Sequence, residues 1–334
     1  MSRETVLALL RVGEGEFVSG ENLSRRLGLS RAAIWKAVDA LRRDGYNIEA
    51  RTGLGYRLVA APDVLTGEEV RSLLGETAVV GKELYCFPQL ESTNTYAKSI
   101  ALSGAPDGSV VIANSQTAGR GRRNRSFLSP ADKGIYLSVL LRPALEPDRL
   151  MPVTAMAGVA VCDAVEKVCG VRPQLKWPND PVLGNKKLCG ILTEMSVEAE
   201  EGHVQYLVVG IGLNVLQTPA DFSPEVAEIA TSLSMNLEES VSRPALAAAE
   251  IEALDRLYAD LQAGDLSRYL SIYRRDCVNL GKTVQLISPD GSRETVTAVD
   301  IDDAFGLVVR DQQGQQRVVR SGEVSVRGMY GYIS

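Results

Sequence analysis

The hydrophobic rhythm of this chain changes twice, and no single core accommodates all three patterns. Over residues 1–60 apolar side chains recur every three or four positions: Val6, Leu9 and Leu10 share one helix face, Leu23 and Leu27 a second, and Ile34, Val38 and Leu41 a third. Ser19 and Ser30 stand where N-caps belong, and Gly28 permits a tight turn before the third helix. After Gly45, β-prone segments at 46–51 and 56–58 flank Thr52-Gly53-Leu54-Gly55, which suits a hairpin. The pattern predicts a winged helix-turn-helix domain over 1–60, closed by a hinge at Ala60-Ala61-Pro62-Asp63.

A mixed texture follows to about residue 275. Strand candidates at 109–114, 135–141, 187–194 and 204–210 interleave with helical patterns at 93–103, 151–168 and 243–262. That alternation predicts an α+β domain over 64–275, a central mixed sheet with packed helices. From Cys277 the texture becomes short strands at 283–287, 294–300, 307–310 and 317–320, with turns at Pro289-Asp290-Gly291 and Gln313-Gly314. A small β-barrel over 277–334 is expected. A length of 334 residues is consistent with two or three such domains.

The residue inventory restricts the chemistry. His203 is the only histidine, which removes structural zinc of the Cys/His type, multi-histidine iron sites and most His-based triads. The five cysteines, Cys86, Cys162, Cys169, Cys189 and Cys277, form no C-x-x-C pair and fit reduced thiols. Catalysis must therefore run on Lys, Arg, Asp, Asn and bound magnesium. The uncharged stretches at 207–220 and 151–162 are shorter than the ~18–20 apolar residues of a membrane span. No secretory leader pattern opens the chain, so a cytoplasmic location is expected. The net charge of −6 opposes indiscriminate nucleic-acid binding by the whole molecule, yet ten basic side chains against seven acidic give residues 1–60 a charge of +3.

Gly119-Arg120-Gly121-Arg122-Arg123-Asn124-Arg125 packs four guanidinium groups into seven residues. Such a segment suits neither helix nor strand; its cations repel one another until an anion compensates them, and its glycines let backbone N–H groups approach that anion. Taken alone it also fits a solvated basic loop. Its place between strand candidates 110–113 and 135–141 is where ligand loops of such sheets belong. Lys176-Trp177-Pro178-Asn179-Asp180 offers cation, amide and carboxylate within one turn, and Lys187 begins the apolar run Leu188-Cys189-Gly190-Ile191-Leu192. Gly210-Ile211-Gly212-Leu213-Asn214 fits close packing as well as ligand approach, and Ser92-Thr93-Asn94 fits plain helix capping as well as binding.

Together, and in this order, these motifs resemble those of bacterial biotin protein ligases, and residues 1–60 extend the resemblance to bifunctional members that also repress biotin genes. The resemblance covers essentially the whole chain and implies a class II synthetase-like catalytic domain followed by an SH3-like barrel. It implies that biotin and MgATP give biotinyl-5′-adenylate, and that the acyl group passes to a lysine of a biotin carboxyl carrier domain. Adenylation joins one anion to another, so arginines, a lysine and magnesium carried by the ATP phosphates suffice.

The resemblance further implies that Ser92, Thr93, Asn94 and Gln116 bind the biotin ureido ring. Arg120, Gly121 and Arg122 would close over biotin and phosphates, with Gly190 beside biotin and Arg123 on the adenylate. Lys187 would bridge the biotin carboxylate and the α-phosphate. Lys176, Asn179 and Asp180 would serve the nucleotide side, with Asp180 accepting the proton of the incoming amine, and Asn214 would contact adenine. Two departures from the family pattern stand out: Asn124 replaces a glycine, and Phe127 an aromatic that is usually tryptophan. In the amino-terminal domain Arg31, Trp35 and Lys36 would face operator DNA, with Arg51 and Arg57 near phosphates, and an adenylate-bound homodimer would span two half-sites. Lipoate or octanoate ligation, and a biotin-sensing repressor without ligase activity, are the alternatives to exclude.

Overall fold

Three helices open the chain: α1 (Ser2–Val12), α2 (Gly20–Leu27) and α3 (Arg31–Arg43). Ser19 Oγ accepts the Asn22 N–H at 3.1 Å and Ser30 Oγ the Ala33 N–H at 3.2 Å, caps worth about 1 kcal/mol each. The helices bury Val6, Leu7, Leu10, Leu23, Ile34, Val38 and Leu41 against one another and against Tyr46 and Ile48. Each large aliphatic so buried contributes about 1.5–3 kcal/mol. The wing is an antiparallel pair, β1 (Asn47–Arg51) and β2 (Gly55–Ala60). Gly55 is required at its turn: φ is +111°, and a Cβ there would lie 2.1 Å from the Val18 carbonyl oxygen.

The computed structural model describes residues 2–13, 15–122, 125–198, 203–288, 290–320, 325–328 and 332–333. The chain divides into two compact units, Met1–Leu74 and Gly75–Ser334. The division therefore falls after Leu74 rather than at the predicted hinge of 60–63. Helix α4 (Gly67–Leu73) belongs to the first unit because its buried Glu69 accepts from Arg11 and from the Tyr46 hydroxyl, while Val70 is fully enclosed.

The second unit is built on a five-stranded mixed sheet. In chain order it contains β3 (Leu84–Phe87), α5 (Thr93–Leu102), β4 (Ser109–Ala113), β5 (Gly134–Leu141), α6 (Pro147–Leu150) and α7 (Val153–Cys169). There follow β6 (Gln174–Lys176), β7 (Asp180–Leu183), β8 (Lys186–Lys187), β9 (Cys189–Val197), β10 (Val204–Asn214), α8 (Pro224–Ala227), α9 (Arg243–Ala263) and α10 (Ser267–Asp276). The sheet order is β3-β4-β5-β10-β9, with β3 and β4 parallel and the other pairs antiparallel. The predicted strand at 187–194 is interrupted at Leu188: β8 pairs with β7, and only from Cys189 does the chain join β10. Helices α7 and α9 pack against each other, and α7 lies on β9.

The last segment forms an antiparallel sheet in the order β14-β13-β12-β11-β15 from β11 (Thr283–Ile287), β12 (Arg293–Ile301), β13 (Leu307–Arg310), β14 (Gln316–Val319) and β15 (Ser325–Gly328). Pro289 of the predicted 289–291 turn lies outside the described residues. This sheet buttresses the 176–180 turn: the Trp177 indole N–H donates to Phe305 O at 2.9 Å, and the Trp177 backbone N–H to Asn279 Oδ1 at 2.8 Å. The Trp177–Pro178 peptide is cis. All five cysteines are free thiols, and no helix among the described residues is long and apolar enough to cross a membrane.

Candidate active site

A cavity of about 330 Å³ opens where the start of α5, the 114–133 loop, the 176–180 turn and the glycine face of β10 meet. Ser92, Thr93, Asn94, Gln116, Arg120, Gly121, Arg122, Phe127, Lys176, Asn179, Asp180, Lys187, Gly190 and Asn214 all line it. Arg123 and Asn124 lie outside the described residues. Among the described lining residues five are cations, Arg120, Arg122, Arg125, Lys176 and Lys187, and one is a carboxylate, Asp180. A cavity with that balance favours anionic ligands.

Its uncharged end is a hydrogen-bonded cluster. The Ser92 side chain caps α5 by accepting the Thr95 N–H at 3.5 Å, so capping and a place in the wall coincide at this residue. Gln116 Oε1 accepts the Thr93 N–H at 2.8 Å, while Gln116 Nε2 donates to Ser129 Oγ at 2.9 Å. Ser138 Oγ lies 2.7 Å from Thr93 Oγ1 and 2.6 Å from Asn94 Oδ1. Asn94 Nδ2 donates to Glu194 Oε2 at 2.8 Å, and Lys98 Nζ stands 2.7 Å from Glu194 Oε1. Ser138, Glu194 and Lys98 escape sequence reasoning, because nothing local distinguishes a serine or glutamate on an apolar strand.

The glycines of β10 make room for this cluster. A Cβ at Gly210 would fall 1.9 Å from Asn94 Oδ1, and one at Gly212 would fall 2.5 Å from the Phe127 ring. Close packing and ligand access are therefore one property here. The Phe127 ring lies over Gly212 and Gly190 and forms the aromatic wall of the cavity.

At the cationic end the glycine-arginine loop folds back on itself. The Phe127 N–H donates to Gly119 O at 2.8 Å and the Gly121 N–H to Arg125 O at 2.7 Å, with a bridge between Arg120 and Ser126. Arg122 Nη1 donates to Asn179 Oδ1 at 2.9 Å, and Asn179 Nδ2 to Ile191 O at 2.8 Å, which ties the loop to the 176–180 turn. The neck of the loop is clamped where Asn114 Nδ2 donates to Asp132 Oδ1 at 2.8 Å and the buried Arg243 donates to Asn114 Oδ1 at 3.0 Å.

Lys187 Nζ lies 2.7 Å from Asp180 Oδ1, and the Tyr332 hydroxyl donates to the other carboxylate oxygen. The Lys176 ammonium sits 4.3 Å above the Tyr332 ring. Burial alone would raise the Asp180 carboxyl, but Lys187 and Lys176, with hydrogen bonds from Lys187 and Tyr332, outweigh it and hold the group below the ordinary carboxylate range. Asn214 lies at the end of β10 in the cavity wall. Its amide is buried, donating one N–H to Thr231 O at 3.0 Å and accepting from Gln217 Nε2 at 3.1 Å, which fixes its orientation in the cavity wall and leaves its second N–H for a ligand.

In the amino-terminal unit Arg31, Trp35 and Lys36 project from α3 into solvent, with Trp35 56% exposed. Arg51 and Arg57 lie over the Phe17 ring, 5.2 and 4.8 Å from its centroid, and Arg57 is also paired with Glu49 at 2.6 Å. Phe17 thus organises both wing arginines, although nothing in the sequence marked it.

Residues 86–214 match the biotin/lipoate A/B protein ligase family, residues 2–57 an HTH domain, and residues 280–327 the biotin protein ligase C terminal domain. The bifunctional ligase/repressor BirA of Bacillus subtilis is 34% identical over 316 residues, covering 95% of this chain and 96% of that protein. BirA of Escherichia coli is 30% identical over 325 residues, covering 96% of each. Among solved structures, the biotin protein ligase from Aquifex aeolicus in complex with biotin and ATP has a TM-score of 0.63 at 26% identity, covering 74% of this chain and 99% of that one.

Proposed function

The chain belongs to the bifunctional ligase/repressor branch of the biotin protein ligases, and from that premise we propose how its cavity activates biotin with ATP and transfers it to a biotin carboxyl carrier domain. The observation that carries the reading is the joining, in one cavity, of an uncharged hydrogen-bonding cluster around Thr93, Asn94 and Gln116 to five cationic side chains. The first suits a ureido ring and the second suits a carboxylate meeting a triphosphate.

In the first step a biotin carboxylate oxygen attacks the α-phosphorus; the new O–P bond forms as the bond to pyrophosphate breaks. Lys187 holds the carboxylate and the α-phosphate together, while Arg120 and Arg122 neutralise the charge that accumulates. Lys176 and Asn179 serve the nucleotide side. Loss of one such electrostatic contact costs about 10²–10³ in rate. Asp180 is the one carboxylate among the described lining residues and is matched by Lys187. Magnesium would be carried on the ATP phosphates, where it would supply further charge neutralisation. In the second step the carrier lysine amine attacks the acyl carbon and AMP departs. Once Lys187 has turned to the phosphate, Asp180 Oδ1 is released to take the amine proton.

The winged helix-turn-helix domain makes the same chain a repressor. Arg31, Trp35 and Lys36 enter the operator groove, the wing arginines contact phosphates, and an adenylate-bound homodimer in the cytoplasm spans two half-sites. Lipoate or octanoate would leave the polar cluster around Thr93 and Gln116 unpaired, which disfavours both as substrates. Adenylate formation from α-labelled ATP with each acid tests the substrate assignment. Turnover with biotin and none with lipoate is expected; the reverse overturns it. Retention of biotin without any turnover favours a sensor that lacks ligase activity.

A further inference from the structure

We infer that Glu194, held by Lys98, is a positioning residue that fixes the hydrogen-bond polarity of the biotin pocket, so that Thr93 Oγ1 and Gln116 Oε1 present themselves as acceptors for ring N–H groups. This rests on the reading of the cavity as a biotin site and assigns specificity to two side chains outside its wall.

Three oxygen–oxygen contacts run in series: Asn94 Oδ1 to Ser138 Oγ at 2.6 Å, Ser138 Oγ to Thr93 Oγ1 at 2.7 Å, and Thr93 Oγ1 to Gln116 Oε1 at 3.2 Å. Two hydroxyl protons, those of Ser138 and Thr93, are available to fill them. A carboxylate only accepts, so Glu194 requires the Nδ2 edge of Asn94 and directs Oδ1 toward Ser138. With Oδ1 facing it, Ser138 must donate there, since two unprotonated oxygens at 2.6 Å repel. Thr93 must then donate to Ser138. The longest contact, between Thr93 Oγ1 and Gln116 Oε1, is left without a proton.

Gln116 cannot reverse this outcome. The Thr93 N–H requires its Oε1, and Ser129 Oγ takes its Nε2. Two acceptor oxygens 3.2 Å apart are therefore carried by residues that line the cavity. An N–H donor satisfies them; a ring oxygen in its place meets two lone pairs at once.

Three features keep the device in one state. Burial would raise the Glu194 carboxyl, but hydrogen bonds from Lys98 and Asn94 and the charges of Lys98 and Arg120 more than offset it and keep the group ionised. Gly210 lies opposite both Ser138 on β5 and Leu192 on β9, and its missing Cβ leaves the passage through which the Asn94 amide reaches either strand. Leu192 O accepts a second bond from Asn94 Nδ2 at 3.3 Å, in the same sense as Glu194.

The test is Glu194→Gln in the full-length protein. Glutamine keeps the shape but can donate as well as accept, so the shorter of the two bonds that hold Asn94 Nδ2 is lost, only Leu192 O at 3.3 Å still opposes a flip, and the direction of the chain of protons is weakened. Adenylate formation is measured with biotin and with analogues in which either ring N–H is replaced by oxygen, alongside the KM for ATP and the melting temperature. For the natural chain a strong preference for biotin is expected. In E194Q that preference falls about tenfold, with the KM for biotin rising and the KM for ATP unchanged. Lys98→Met, which leaves Glu194 in place without its counter-charge, gives a smaller fall in the same direction. If E194Q folds and discriminates as well as the natural chain, the inference is overturned. If the natural chain makes no adenylate from biotin, the substrate assignment fails instead.

Discussion

Lys187 Nζ and Asp180 Oδ1 lie 2.7 Å apart in the wall of the cavity, and the same lysine is the cation proposed above to meet a carboxylate and a phosphate. One ammonium thus has two successive partners, and the pair serves both half-reactions only if Lys187 moves. Lys187→Met should lower the rate of adenylate formation by about 10²–10³. Asp180→Asn should spare that step and slow acyl transfer to the carrier. Single-turnover measurements of the two half-reactions separate these effects; equal losses in both steps for Asp180→Asn would contradict the assignment.

The glycines of β10 yield a second expectation. An alanine at Gly210 puts its Cβ 1.9 Å from Asn94 Oδ1, and the amide must leave its place. Gly210→Ala should raise the KM for biotin at least about tenfold, with little change in the KM for ATP. Gly212→Ala displaces the Phe127 ring and should shorten adenylate lifetime. Dissociation of labelled adenylate from each variant reads both effects.

Glu250 provides a pH signature. It is 1% exposed on α9, and neither carboxylate oxygen has a hydrogen-bond partner among the described residues. Burial pushes its carboxyl from 4.5 up to about 8. The buried thiols Cys189 and Cys162, which share this interior, are themselves pushed up by burial and stay neutral. Because the folded chain keeps a proton that the unfolded chain has lost, the stability from this group is complete below 4.5 and disappears as the pH rises through about 8. The slope within the window is about 1.4 kcal/mol per pH unit. Glu250→Gln should remove it. Melting temperatures at pH 5, 6.5 and 8 should show the variant gaining on the natural chain as the pH rises, and parallel curves would refute the account.

The exposed face of α3 predicts separable functions. Lys36→Ala should weaken operator binding and reduce the salt dependence by about one counterion. Trp35→Ala should weaken binding without changing that slope. Both variants should biotinylate a carrier at the natural rate. Binding titrations over a series of salt concentrations give the slopes, and a coupled loss of ligation would reject the separation.

Much of this architecture was legible in the sequence because it is written locally. The periodicity of Ile34, Val38 and Leu41, the caps Ser19 and Ser30, and the Ala-rich pattern around α9 each reside in one short stretch. The Gly119–Arg125 segment and the 176–180 turn announced themselves by composition. What stayed hidden depends on distant pairing. Tyr332 meets Asp180 across 152 residues, and Asn94 meets Glu194 across 100. The partners that orient Asn214 were hidden in the same way, since Thr231 and Gln217 reach its amide only in the fold. The membership of α4 in the first unit likewise depends on Arg11 and Tyr46 closing on Glu69, which no hinge-like run of Ala and Pro reveals.

The central claim is that the cationic loop and Lys187 together join two anions and hand the product to a carrier. Its most direct test is the intact mass of a biotin carboxyl carrier domain after incubation with biotin, MgATP and either the natural chain or Lys187→Met. The account predicts that one biotinyl group is added by the natural chain and none by the variant over the same interval. An unchanged mass with the natural chain, or equal labelling by both, would contradict it.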